Sequence, residues 1–528
     1  MAQKKYGTPV KSIIIGTLML LNLLGILGLY FWGMGWIALL VFSVPLTIVS
    51  LVHVNQNAHT ILKNFPLIGI MRYFFESIRP ELRQYFWESD TDGVPFNRRQ
   101  RSIVYQRSKN ELETVAFGMQ SNPNEPGYEW VSHSAFPVHI ENKDLRIKVG
   151  NESCKYPYSL SILNISAMSY GALSKTAISA LNQGAAIGGF AHNTGEGGIS
   201  DYHLKGGDLI WQIGTGYFGC RTEDGRFSSE LFAKNASRPE VKMIELKLSQ
   251  GAKPGHGGIL PANKNTEEIA AIRHVVPGTT VASPPGHSAF KNSDGMIDFI
   301  DSLRTLSDGK PVGFKLCIGD KNEFLDICES MYKKKIYPDF IAIDGAEGGT
   351  GAAPLEFTDN IGMPLYEAIS FAHKALTKFG IRKKLKIIVS GRVITSFDIM
   401  KMLALGADAC YSARGMMFSL GCIQALVCNK DTCPTGVATQ NPNLYKGLDV
   451  NQKKVRVAQF HNNTIKATVE MMEACGFESI QDIIPSKFYR KIDSLHTMSF
   501  EDIYFTQDDP AIINRWNKVN AKNLEPAL

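Results

Sequence analysis

VGFKLCIGDKNEFLDICESMYKKKIYPDFIAI, residues 312–343, decides the fold. It opens with a short apolar run, 312–317, continues through a polar, helix-like stretch and ends in a second apolar run, 340–343. Short, continuous apolar runs suit strands buried on both faces, as a parallel sheet requires. The same unit recurs on either side. Strand candidates are 160–166, 243–248, 312–317, 340–343, 386–389 and 409–412, each followed by polar, glycine-rich sequence and usually by a helix-like stretch. Repeated strand-then-helix units indicate an α/β chain. The candidate functional residues lie just past strand ends, where a (β/α)8 TIM barrel builds its site. A doubly wound open sheet is the alternative, but no G-x-G-x-x-G fingerprint follows the first strand.

The chain has 528 residues, enough for two or three domains or for one large barrel with extensions. Its 44% hydrophobic and 20% charged residues are ordinary for a globular protein, and a net charge of +6 is mild, so no nucleic-acid partner is expected. Nine cysteines without a secreted disulfide pattern point to a reducing compartment. There is no internal repeat or low-complexity tract.

Two apolar runs, 12–32 and 36–54, flank Gly33-Met34-Gly35. At 1.5 Å per residue, about 20 helical residues span the roughly 30 Å hydrocarbon layer. Lys4, Lys5 and Lys11 precede the pair, and Lys63, Arg72, Arg79 and Arg83 follow it. Basic flanks around an uncharged turn place both ends, and the catalytic domain, on the cytoplasmic side of a membrane. A cleaved signal peptide is the other reading, disfavoured by the second run. Four parts follow: a transmembrane hairpin (1–56), a connector rich in aromatic and Arg residues (57–150), the barrel (151–475, with a cysteine loop at 421–436) and a helical C-terminal extension (476–528).

The chemistry concentrates in a few loops. Cys422, Cys428 and Cys433 form C-x5-C-x4-C followed by Pro434. A four-thiolate zinc site needs a fourth ligand, usually in a C-x2-C pair, and none lies nearby. Three thiolates suit an iron–sulfur cluster better; three buried apolar cysteines are the plain alternative. The turns VSGRV (389–393) and SARG (412–415) end the last two strand candidates, where backbone N–H groups bind phosphate, with Arg392 and Arg414 placed to add charge. Lys315 sits inside an apolar strand, so it is at a site or at a strand's exposed end. A cation there would stabilise a reduced flavin ring. ELKLSQGAKPGHGGILP (245–261) carries Lys247, Gln250, Lys253 and His256 in a flexible turn, and two converging lysines favour a carboxylate substrate. Asn193 and Glu196 lie on another glycine-rich loop, 192–200; Arg273 and His287 are placed to complete an anion pocket. IDGAEGGTGAAP (343–354) is too glycine-dense for a helix and reads as a further ligand-facing loop.

In combination SAMSYGALS, HNTGEGG, ELKLSQGAKPGHGG, SPPGH, FKLCIG, GAEGGTGAAP and GCIQALVCNKDTCPTGVATQ resemble the flavin-binding synthase domain of the glutamate synthase family, over about residues 155–475. The resemblance implies a (β/α)8 barrel holding FMN and a 3Fe–4S cluster, converting 2-oxoglutarate and ammonia to L-glutamate. It implies cluster ligands at Cys422, Cys428 and Cys433. It implies flavin contacts at Met168, Ser169, Asn193, Gln250 and Lys315, and phosphate contacts at Gly391, Ala413 and Arg414. Glu196, Lys247, Lys253 and Arg273 match the region holding the oxo-acid, with His287 near it, and Lys315, Gln250 and Glu196 are the catalytic candidates. The chain departs from the pattern at His256, where the family has a carboxylate, at Ile259, where it has Gln, and at Ser390-Gly391-Arg392, where it has DGG. No nucleophilic Cys follows Met1, and neither a glutaminase nor a β-helix domain is recognised. Ammonia is therefore expected from outside the chain, free or from a partner glutaminase, and electrons from a donor such as ferredoxin or a reductase subunit. An FMN enzyme acting on another amino or hydroxy acid, with a membrane quinone, is the alternative.

Overall fold

The computed structural model describes residues 9–524; Lys4 and Lys5 of the basic flank and the last four residues of the C-terminal extension lie outside them. The chain forms two compact units, one ending at Ser89 and the other beginning at Asp90.

In the first unit, helices α1 (Val10–Trp32) and α2 (Ile37–Asn55) pack side by side around a turn at Gly33. Their shared face is polar and small. Asn22 donates to the Thr47 hydroxyl at 2.7 Å and accepts from the Ser43 hydroxyl at 2.6 Å. A Cβ at Gly25 or Gly28 would collide with Leu40 or Trp36, so these glycines permit the close approach. Large apolar side chains such as Leu23, Ile26, Val41 and Phe42 point away and are exposed. Both helices are long and apolar enough to cross a bilayer. After a single helical turn at Thr60–Asn64, helix α3 (Ile68–Leu82) follows and passes into a π-helical turn, Arg83–Trp87.

The second unit is built on eight parallel strands: β1 (Leu163–Ile165), β2 (His192–Asn193), β3 (Leu209–Ile213), β4 (Val241–Lys247), β5 (Val312–Leu316), β6 (Phe340–Asp344), β7 (Lys386–Ser390) and β8 (Ala409–Ser412). Each pairs with the next, and β8 pairs with β1, closing the barrel. Closure excludes the doubly wound alternative. The run 160–166 is broken at Ile162: Tyr158–Ser161 pairs antiparallel with Arg146–Val149, and only Leu163–Ile165 enters the barrel. β2 and β3 are the strands the sequence reading missed.

Alternation along the strands decides what faces inward. Lys315 on β5 is in register with Lys247 on β4, and Gly313 with Glu245. Glu245 anchors a buried polar layer: its carboxylate accepts from the Asn193 amide at 2.9 Å, the Gln212 amide at 2.6 Å and the Tyr411 hydroxyl at 3.2 Å. Four strands are thereby tied together across the interior. Outward-facing Trp211 and Ile244 are buried, Trp211 stacking on Phe232. In the C-terminal extension, Phe500–Tyr504 and Pro510–Leu524 are helical, and Phe488–Lys491 adds a strand paired antiparallel with Glu129–Val131 and with Thr497–Ser499.

Candidate active site

The C-terminal ends of β4 to β7 carry a ring of buried charge. Lys247, the last residue of β4, places its ammonium 2.8 Å from Glu196 and 2.5 Å from the Gln250 side-chain oxygen. Lys315 on β5 lies 3.5 Å from Asp344, the last residue of β6. Asp344 in turn accepts from the Ser390 hydroxyl, at the end of β7, at 2.5 Å and from the Gly251 N–H at 2.9 Å. Lys315 is only 4% exposed, so one contact at 3.5 Å leaves a buried ammonium poorly satisfied.

Glu196 sits among three cations. Burial pushes its carboxyl up, but Lys247, then Arg273 and Lys253, more than offset this and hold it below its ordinary value. Gly214 and Gly258 exist to make room, since a Cβ at either would collide with the Glu196 carboxylate. Lys253 donates to the Gly257 carbonyl at 2.8 Å, and burial, then Lys247, lowers its pKa. Arg273 is 5% exposed; it donates to the Tyr170 carbonyl at 3.0 Å and lies over the Phe218 ring at 5.1 Å. Its Nε has no partner among the described residues, and burial brings its pKa down to about 10. Glu196, Lys247, Gln250, His256 and Gly258 line a cavity of about 20 Å³, room for about one water.

His287 is placed differently from an anion ligand. Its Nε2 donates to the Lys247 carbonyl at 2.9 Å, so its Nδ1, 3.1 Å from Tyr217, accepts from that hydroxyl. Burial lowers its pKa and favours the neutral ring. Asn193 likewise directs its side chain inward, to Glu245. The His256 ring lies 5.6 Å from Phe357, and Ile259 is part of a two-stranded ladder with Val281–Ala282.

On the far side, the β7 turn at Gly391 and the β8 turn at Ala413–Arg414 come together around the 345–354 loop. Arg414 donates to the Glu347 carbonyl at 2.8 Å and lies 4.6 Å over Phe96; burial, then Arg392, brings its pKa down to about 10. The Gly195 backbone packs against Met168 and Ser169, where a Cβ would come within 2.6 Å of the Ser169 nitrogen.

The cysteine loop lies along the same mouth. The Gln440 amide donates to the carbonyls of Gly171 and Leu173 at 3.2 and 2.9 Å, and Gly351 abuts Cys428. Among the described residues no group of His, Cys, Asp or Glu could hold a single metal ion. The three thiols do interact with one another: burial first, and later Cys428 and Cys433, push Cys422 up to about 12. Cys433 goes the other way. Burial raises it, but the Thr435 hydroxyl and the N–H groups of Ala438, Thr435 and Val437 bring it below its ordinary value.

Three residues had no sequence signal strong enough to single them out. Asp344 is a lone acid at a strand end, and Glu245 an acid inside a strand; both acquire meaning only from cross-barrel partners. Lys264 is 2% exposed and donates to the Cys428 and Ala438 carbonyls, both at 2.9 Å.

Residues 127–478 match the family described as a conserved region in glutamate synthase. The chain is 37% identical to a glutamate synthase large subunit-like protein, YerD, of Bacillus subtilis, over 91% of this chain and 97% of that one. It is 32% identical to an archaeal glutamate synthase [NADPH] of Methanocaldococcus jannaschii over 72% of this chain and 71% of that one. An archaeal-type glutamate synthase [NADPH] of Thermotoga neapolitana is 34% identical over 60% of each chain. With its barrel and its ring of buried charge, the chain belongs to the glutamate synthase family, and so to the oxidoreductases.

Proposed function

We propose that the chain is a membrane-anchored flavoenzyme that reduces the imine of a 2-oxo acid and ammonia, with 2-oxoglutarate giving L-glutamate. The observation that carries this reading is the imbalance around Glu196: Lys247, Lys253 and Arg273 surround one carboxylate and leave positive charge for an anionic substrate. Arg273, with its unpartnered Nε, is suited to one substrate carboxylate. Lys247 and Gln250 orient the reacting carbon, and the Lys247 ammonium, held by the ionised Glu196 carboxylate, is placed to give a proton to the nitrogen and to be reprotonated from solvent. The imine C=N gains a hydride at carbon and a proton at nitrogen, so two electrons are needed.

FMN would supply the hydride, and a 3Fe–4S cluster the entry point for single electrons from a ferredoxin or a reductase subunit. Lys315 fits that flavin because its buried ammonium is short of anionic partners. Gln250, Met168 and Ser169 would line its ring, and Gly391, Ala413 and Arg414 its phosphate. Asn193 would act through backbone, since its amide holds Glu245. Cys422, Cys428 and Cys433 would hold the cluster. The residues at 255–258 must shift to admit a dicarboxylate, because about one water fits beneath them.

The apolar outer face and polar seam of α1 and α2 support insertion as a transmembrane hairpin, with the catalytic unit on the cytoplasmic side. Purified protein should contain FMN, iron and sulfide, and should form glutamate anaerobically from 2-oxoglutarate, ammonia and reduced ferredoxin. No glutamate with any donor would overturn this version. The His256–Phe357 pair at the cavity favours a second reading, an FMN enzyme acting on another amino or hydroxy acid with a quinone partner. Reoxidation of the reduced flavin by a different oxo acid, and not by 2-oxoglutarate with ammonia, would select it.

A further inference from the structure

Helix α3 carries an apolar face that the described residues of its own unit leave largely exposed, with Ile78 and Leu82 half-buried. Ile68, Met71, Phe74, Phe75, Ile78 and Leu82 recur at three- and four-residue spacing along one side. Met71 and Phe74 are each 56% exposed and Phe75 51%. The stripe continues into the π-helical turn, where Phe86 and Trp87 are 75% and 71% exposed. Arg72, Arg79 and Arg83 lie together along one border of the stripe, a seven- and then four-residue repeat. From 60 to 88 the chain has four basic residues, Lys63 included, against three acidic, Glu76, Glu81 and Glu88; Glu76 lies 3.9 Å from Arg79 and Glu88 3.4 Å from Arg83.

The helix is also tethered to the end of the hairpin. The Leu67 N–H donates to His53 Nδ1 at 3.2 Å, the Tyr73 hydroxyl is 3.4 Å from His59 Nδ1, and Gly69 packs on Leu62 and Ile61. His53 is in the last turn of α2. If that turn reaches the membrane surface, α3 begins there too.

We propose that α3 and the turn after it lie in the plane of the bilayer, with the apolar stripe in the acyl–headgroup boundary and the three arginines on anionic headgroups. This rests on the transmembrane reading of α1 and α2. A large apolar face bordered by basic residues, with aromatic side chains at one end, is the composition of an interfacial helix. Long arginine side chains reach from the stripe's border to the phosphates. Continuity with the hairpin and the basic excess favour a lipid occupant over a protein one.

The test places a fluorescent amino acid at Val41, Phe75 or Glu76 of the full chain, reconstituted in vesicles of phosphatidylcholine and phosphatidylglycerol. Lipids brominated on the acyl chain and aqueous iodide serve as quenchers. Bromines should quench the probe at Val41 and at Phe75, while iodide should quench the probe at Glu76. Iodide quenching at Phe75 with bromine quenching at Val41 overturns the proposal and leaves the hairpin standing. Protection of Phe75 from both quenchers means a protein surface covers the stripe, which also overturns it. Iodide quenching at Val41 removes the transmembrane reading and this inference with it.

Discussion

The hairpin and the barrel both turn polar groups inward and apolar groups outward, yet they rest on different surroundings. In the barrel, the inward layer is Asn193, Gln212, Glu245 and Tyr411, and the outward strand residues are covered by helices. In the hairpin, the seam is Asn22, Ser43 and Thr47, and the outward residues are left exposed by the described residues of the unit. The same inside-out pattern is complete in one region and unfinished in the other. Under the proposed membrane insertion, hydrocarbon finishes the second. The stakes of the buried polar groups differ accordingly, because three donors in the barrel, on Asn193, Gln212 and Tyr411, share the one Glu245 carboxylate.

Breaking that carboxylate is the sharpest probe. Glu245→Ala strands two amides and a hydroxyl in the barrel interior, and should lower stability by about 3–5 kcal/mol, the range for breaking a buried charged network. The denaturant midpoint of the detergent-solubilised protein reads this; a loss under 1 kcal/mol would mean water replaces the carboxylate. Lys247→Met, one layer higher, leaves Glu196 without its nearest cation. Turnover should fall at least ~100-fold, about 2.7 kcal/mol, while the far-ultraviolet circular dichroism stays that of the parent. Near-normal turnover would remove Lys247 from the site.

The third probe is acid. Glu196 has its pKa depressed in the folded state, so its pairing with Lys247 stabilises the protein above the ordinary carboxylate range and is lost as pH falls through the depressed value. The melting temperature of Glu196→Gln should therefore fall behind the parent's at neutral pH and converge with it in acid. Parallel curves at all pH values would disprove the linkage. The smallest effect is expected in the seam. Asn22→Leu should cost about 0.6 kcal/mol, and at most about 2, since hydrogen bonds between helices in lipid are individually weak. Amide hydrogen exchange in α2, measured in micelles, should speed up by a few-fold; a collapse of all protection would make Asn22 far more important than its bonds suggest.

How much of this was legible in the sequence follows from the same contrast. The hairpin could be read almost residue by residue, because composition alone defines an apolar span. Six strand candidates of the barrel were visible because apolar residues dominate them even where Glu245, Lys247 or Lys315 interrupts the run. β2 was hidden by its length, two residues inside a glycine-rich loop; β3, LIWQI, was missed although its one polar residue, Gln212, interrupts it less than Glu245 and Lys247 interrupt β4. Lys247, Lys315 and Glu196 stood out as charges in apolar or glycine-rich settings. Asp344 and Lys264 did not, because their partners lie on other strands or on backbone carbonyls far along the chain. The role given to His287 from its place in SPPGH changes for the same reason: both its ring nitrogens are bound inside the protein.

Lys264 has one more consequence. The segment that roofs the small cavity is fastened at both ends, by the Gly251 N–H on Asp344 at 2.9 Å and by the Lys264 ammonium on the cysteine loop. A strip pinned at both ends, and again where Ile259 and Leu260 pair with Ala282 and Val281, can buckle but cannot swing like a door. We predict that ligand exchange is slow, local and sensitive to friction, so that turnover should slow in viscous buffer as sucrose is added. Turnover indifferent to viscosity would put the slow step in the chemistry.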